Sequence, residues 1–229
     1  MNILAFDTTL NRCSVAVVAD GKILSHVSVE MRRGHAEALM PLIQDCLNEA
    51  SLEFSGLDLV AVTTGPGTFT GQRVGLSAAR GIGVSTGLPV QGVGSLPAIA
   101  LSARTDKPDR DILVVQDARR GEFYVQHFPA STDIWPEISP ARAVPIEDLS
   151  DLLPDAGCVI VGSGTEMARE LLGATGKDIV ISDRHYEADA LQVAELAASI
   201  IAAQGLPDGP PAPLYLRAPD AKLPGGKTL

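Results

Sequence analysis

The chain has 229 residues, 45% of them apolar and only 4% aromatic, which suits one large domain or two lobes of about 100 residues each around an aliphatic core. Its formal net charge is -10, from 18 basic and 28 acidic residues, so it is a poor stand-alone binder of nucleic acid, where affinity comes from Lys and Arg on phosphates. Cys13, Cys46 and Cys158 are odd in number and far apart, which excludes a disulfide framework or a local zinc motif, and no apolar run nears the ~20 residues of a membrane span.

Residues 2-7 read as a buried strand ending in Asp7, with no signal-peptide pattern ahead of it, so a cytoplasmic protein is expected. Residues 13-19 are a second strand. Asp20-Gly21 supplies a hairpin turn, since both tolerate positive φ, and the alternation of Ile23, Ser25, Val27 and Val29 makes a third strand. A helix is predicted from about His35 to Ala50, with Leu39, Leu42, Ile43, Cys46, Leu47 and Ala50 on its apolar face and Pro41 as the source of a kink or an irregular first turn. Asp58 to Val62 is a buried-looking strand, Thr63 to Gly71 a glycine loop, and Gln72 to Val84 a helix. A short strand around Pro89-Val93 and a helix from about Leu96 to Ala103 follow.

The same order then restarts. Asp111 to Asp117 is a buried strand ending in an aspartate, Glu122 to Phe128 a second strand, and residues 138-144 a third, weakened by Pro140. Pro145 to Leu153 is a short helix, Cys158 to Gly162 a strand, and Ser163-Gly164-Thr165 leads into a helix through about Leu172. Asp178 to Ile181 is a strand, and Asp189 caps an Ala-rich helix running to Ala203. The pattern repeats without repeating the residues, and Asp7 and Asp117 are the matching strand ends. A doubled lobe of this order resembles the actin-like ATPase (ASKHA) fold, an α/β architecture of two RNase H-like lobes. The expected divisions are a first lobe at 1-104, a second at 105-204, and a tail at 205-229 that packs back through Pro213-Leu214-Tyr215-Leu216-Arg217 and frays from Ala221.

The segment around residues 58-84 is the most informative. A strand, a glycine loop and a helix usually prepare a helix N-terminus for an anion. Gly65-Pro66-Gly67-Thr68-Phe69-Thr70-Gly71 nevertheless departs from the P-loop pattern and carries no lysine, cysteine, histidine or carboxylate. Thr70 is a candidate cap for the helix. Behind it, Gly71, Gly75, Ala79 and Gly83 recur every four residues and put small side chains on one face. Helical glycine costs about 1 kcal/mol relative to alanine, so a close contact compensates, either with the chain's own sheet or with a partner. Asp7-Thr8-Thr9 could orient a metal-bound water or simply cap its own turn, and three residues alone favour the turn. Gly162-Ser163-Gly164-Thr165 reads by itself as a tight strand-to-helix turn. The four histidines, His26, His35, His127 and His185, are too scattered for a metal motif.

Taken together, Ile3 to Thr9, Gly34-His35-Ala36-Glu37-x-Leu39-Met40-Pro41-Leu42-Ile43, and Gly65-Pro66-Gly67-x-Phe69-Thr70-Gly71-x-Arg73-x-Gly75 resemble the TsaB (YeaZ) family. Val93-Gly94-Ser95-Leu96, Asp117-Ala118-Arg119 and Pro213 to Arg217 extend the likeness over about residues 2-217. The resemblance implies a non-catalytic subunit, without cofactor or metal, of the bacterial machinery that makes threonylcarbamoyladenosine beside the tRNA anticodon. It implies a partner, the catalytic paralogue TsaD, a further small ATPase, TsaE, and contact with tRNA only through the complex; a homodimer in isolation is also compatible with it. The catalytic paralogue holds a metal through paired histidines just after the strand that corresponds to Pro89-Val93, where this chain has Gly94-Ser95-Leu96-Pro97-Ala98. The family dimerises through helices of its first lobe, which maps the partner interface onto His35, Leu39, Met40, Ile43, Thr70, Arg73, Gly75 and Ala79. Two other readings stay open on the residues alone: an actin-like ATPase or kinase acting by itself through Asp7 and the glycine turns, and an RNase H-type nuclease. The nuclease needs clustered carboxylates, yet Thr63-Thr64-Gly65 stands where an acid is expected.

Overall fold

The structure is a computed structural model and describes residues 1-106, 109-130, 139-172, 177-183 and 186-217. Asn2–Asp7 (β1), Arg12–Ala19 (β2) and Lys22–Glu30 (β3) form an antiparallel meander, turned at Asp20 and Gly21 with φ of 49° and 76°. His35–Glu49 is α1, Leu59–Gly65 is β4, Phe69–Thr86 is α2, Val90–Gly94 is β5 and Ser95–Arg104 is α3. Strands β4 and β5 add in parallel beside β1, giving the order β3-β2-β1-β4-β5. Ile112–Asp117 (β6), Glu122–Phe128 (β7), Arg142–Pro145 (β8), Cys158–Val161 (β9) and Ile179–Ile181 (β10) repeat the plan as β10-β9-β6-β7-β8. Thr165–Leu172 is α4 and Ala190–Gln204 is α5. No helix among the described residues is long and apolar enough to cross a membrane.

Alternation along the strands sorts the core into layers. Leu4, Phe6, Val15, Val17, Val60 and Val62 face outward from the first sheet onto Leu39, Ile43 and Leu47 of α1 and Leu76, Ala79 and Ile82 of α2. Ile3, Ala5, Ala16, Leu59 and Ala61 face inward, in one cluster with α3, α5 and the inner residues Ile112, Val114 and Val159 of the second sheet. Helix α5 therefore belongs to the second half by chain order and to the first sheet by packing, while α3 reaches the second sheet. Alanines at Ala5, Ala16, Ala61, Ala100, Ala190, Ala194 and Ala197 let these layers close.

Some local expectations need correction. Helix α2 starts at Phe69, before the expected Gln72, and Thr68 rather than Thr70 is its cap: extended Thr68 accepts from the Gly71 amide at 3.1 Å. Helix α1 spans His35–Glu49 with Pro41 inside it, where Pro41 forfeits one backbone bond on an exposed face while four buried residues hold the other. The short helix expected at 145-153 is a 3-10 helix over Ile146–Leu152. The third strand of the second half, expected at 138-144, is seen at Arg142–Pro145; residue 138, His185 and residues 218-229 lie outside the described residues.

Asp189 caps α5 through its bond from the Leu191 amide at 3.0 Å and meets His26 of β3 at 2.9 Å. Burial, the largest single influence, pushes this carboxyl up, but the bonds from His26 and the Leu191 amide, with the His26 charge and Ser28, together hold it below its ordinary value. We expect Asp189→Ala to destabilise the chain by about 1 to 2 kcal/mol in urea unfolding, as cap removal generally does.

Candidate functional site

Asp7 ends β1 and is fully buried. Its Oδ1 accepts from the Thr63 hydroxyl at 2.5 Å, the Thr9 hydroxyl at 2.6 Å and the Thr9 amide at 3.2 Å, while Oδ2 is buried with no hydrogen-bond partner. Burial pushes the carboxyl up to about 6, against the downward pull of the three donors. Its hydrogen-bond donors are thus two threonines, Thr9 and Thr63. Burial also raises all three thiols, Cys13 and Cys158 to about 11, which leaves them protonated near neutral pH. No cluster of three or more His, Cys, Asp or Glu among the described residues is placed to hold a metal ion.

The glycine loop is closed onto the β1-β2 hairpin. The Thr68 amide donates to the Thr9 carbonyl at 2.8 Å, and the Thr8 hydroxyl donates to the Gly71 carbonyl at 2.7 Å. A Cβ on Gly71 would lie 2.1 Å from the Thr8 carbonyl oxygen, and one on Gly67 2.6 Å from that of Thr9, so both glycines serve close backbone approach. Within the first turn of α2 the Gly71 amide donates to the Thr68 hydroxyl, and the Gln72 amide opens the helical ladder on the Thr68 carbonyl at 3.0 Å. In the second half, Gly162, with φ of 110°, brings the β9-α4 turn so close that the Gly164 amide donates to the Val115 carbonyl at 3.0 Å. Ser95, at the start of α3, is buried and donates to the Pro66 carbonyl at 2.5 Å.

Openness lies instead on the outer side of α1 and α2. A groove of about 510 Å³ runs between them, lined by Ala36, Met40, Phe69, Arg73, Ser77 and Ala78. It continues past Met40 and Ala78 into a second hollow of about 290 Å³ beside Phe54, Gly81 and Ser85. Met40, 46% exposed, and Phe69, 58% exposed, are large apolar groups left in water at this groove. Ser77, Gly81 and Ser85 recur every four residues on this outer side, and a Cβ on Gly81 would touch nothing.

Sequence reasoning placed the interface on eight residues, and burial divides them. Met40, Thr70 and Arg73 are exposed, and His35 is half-buried at the start of α1. Leu39, Ile43, Gly75 and Ala79 are buried inside the first half, and Leu39 also lines the groove. For Gly75 and Ala79 the physical reason is the direction of the small-residue stripe. Gly75 backs onto the Thr8 hydroxyl, where a Cβ would lie at 2.7 Å, and Gly83 onto Val90 at the same distance, so the stripe compensates for its glycines within the chain. Phe69, Ala78 and Gly81, which also line the hollows, were not among the eight; a second four-residue run of small side chains at 77, 81 and 85 was the available signal for Gly81.

Two RNase H-like sheets joined back to back through shared helices define a protein of the actin-like ATPase fold. A distant likeness agrees: component A of (R)-2-hydroxyglutaryl-CoA dehydratase from Acidaminococcus fermentans superposes with a TM-score of 0.52 at 12% identity, over 88% of this chain and 99% of that one. Residues 22–204 match the family model described as "TsaD: tRNA N6-adenosine threonylcarbamoyltransferase". The tRNA threonylcarbamoyladenosine biosynthesis protein TsaB of Haemophilus influenzae is 29% identical over 98% of both chains. That of Escherichia coli is 36% identical over 54% of this chain and 53% of its own length. A crystal structure from Pseudomonas aeruginosa, described by its similarity to peptidase YeaZ, has a TM-score of 0.83 at 25% identity and covers 94% of this chain and 99% of that one. The chain belongs to the TsaB (YeaZ) family, within the wider family that the TsaD model describes.

Proposed function

We propose that the chain takes part in tRNA threonylcarbamoyladenosine biosynthesis as a non-catalytic assembly subunit. It docks a TsaD-type transferase on the α1-α2 face and supports transfer of threonylcarbamoyl to the tRNA adenosine beside the anticodon. TsaE joins the assembly, tRNA meets this chain only within it, and the same face pairs two copies of the chain when the transferase is missing. The docking lobe is residues 1-104, completed by α5 from the 105-204 lobe, and tail residues 211-217 pack back across both. The observation that carries the reading is the outer side of α1 and α2, where Met40 and Phe69 stand exposed beside small residues over an open groove, a surface suited to a closely approaching helix. His35, Thr70 and Arg73 edge the contact, and Leu39, Ile43, Gly75 and Ala79 support it from beneath.

Size-exclusion chromatography with and without the transferase, followed by a transfer assay, tests this. A stable mixed complex, with activity confined to the mixture, is expected; full tRNA modification in cells lacking this chain overturns it. Titration of the isolated chain with Mg-ATP is expected to give no tight binding, and tight binding with turnover would restore the ATPase reading.

A further inference from the structure

Residues 211-217 touch parts of the molecule far apart in sequence. Arg80 donates to the Pro211 carbonyl at 3.2 and 2.6 Å, and Gly92 leaves the Pro211 ring space that a Cβ would invade at 2.6 Å. The Leu214 amide donates to the Thr64 carbonyl at 2.9 Å, at the end of β4. Tyr215 then lies on the first turn of α2: its ring stacks on Phe69 with centroids 5.8 Å apart, and its hydroxyl accepts from Arg73 Nε at 3.1 Å. The Arg73 guanidinium itself sits 3.7 Å from the Phe69 ring centre. Finally Arg217 crosses to the second sheet, donating to the Arg119 carbonyl at 2.7 Å and pairing with Glu122. None of residues 211-217 belongs to the three hydrophobic clusters.

We propose that this strap positions the docking face: Arg217 anchors it to the second half, and Tyr215 holds Phe69 and Arg73 in the orientation a partner meets. The proposal rests on the docking reading above. A solvent-facing phenylalanine and a long arginine lose rotamer freedom on association, and fixing them beforehand reduces that loss. Arg217 lies on the second half, at the β6-β7 turn, so any influence on docking must pass through the strap.

The test uses the full-length chain and a purified TsaD-type transferase. Arg217→Ala is expected to speed amide exchange at Leu214 and at residues 69-73 in the isolated chain and to weaken transferase affinity about tenfold. The global unfolding midpoint should hardly move. Arg217→Lys, which keeps a charged donor for Glu122, should recover most of the affinity. Tyr215→Phe, which keeps the ring stack and loses only the bond from Arg73, should fall between them. Wild-type affinity and exchange in Arg217→Ala overturn the proposal while leaving the docking reading intact, and so does a loss of affinity that merely follows global destabilisation. Failure of the wild-type chain to bind the transferase overturns both.

Discussion

Met40→Asp should lower affinity for a TsaD-type transferase by about 100-fold while leaving the chain folded, because an anchor at the centre of an apolar contact commonly carries that much. Met40 lines both hollows of the α1-α2 face and is 46% exposed, so an aspartate there stays hydrated in the free chain and is stranded only on association. Gly81→Leu gives a sharper contrast. The site is open, and leucine is the better helix former by about 1 kcal/mol, so the isolated chain should gain stability while its docking fails. Opposite signs of stability and binding in one variant cannot come from misfolding. Calorimetric titration with the transferase, beside urea unfolding of the chain alone, reads both. Unchanged affinity in the two variants would falsify the placement of the interface on this face.

Asp7→Asn should stabilise the chain near pH 7.5 by as much as about 3 kcal/mol and abolish part of its pH dependence. Asp7 has a folded value of about 6 against an ordinary 3.8, so the folded state binds the proton more tightly than the unfolded chain does. Its contribution to stability is therefore fully present below pH 3.8 and is lost as pH rises through about 6. Above that, the fold carries a desolvated carboxylate with one unpartnered oxygen. Asparagine keeps an oxygen for the Thr9 and Thr63 donors and carries no charge to desolvate. The difference in unfolding free energy between variant and wild type should open between pH 4 and 6.5; a flat difference sinks the assignment. The same variant separates the functional readings, since an assembly subunit keeps supporting transfer with Asn at position 7, whereas an ATPase relying on that carboxylate does not.

The order of elements was legible because buried strands alternate along their length and amphipathic helices carry period. Both operate over a few residues, and they recovered the doubled plan and the Asp189 cap. What stayed illegible depends on pairs distant in the chain. Periodicity reveals that Gly71, Gly75, Ala79 and Gly83 share a face, but only the position of Thr8 shows that this face looks inward. Likewise nothing local in Ala190–Gln204 says that it covers β1 rather than β6. That the glycine loop bonds to Thr8 and Thr9 requires knowing that their hairpin lies beside it.

The exchange of helices between halves bears on how the chain is made. Synthesis runs from the N-terminus, so a nascent chain ending near residue 110 holds all five strands of the first sheet but not the helix that covers their inner face. Ile3, Ala5, Ala16 and Leu59 then stay wet until residue 204 has left the ribosome. Completion must be nearly simultaneous in both halves, with a high contact order and slow final assembly. A fragment cut at 104 should consequently aggregate, and the gene should tolerate no split there, however clean the boundary looks along the chain.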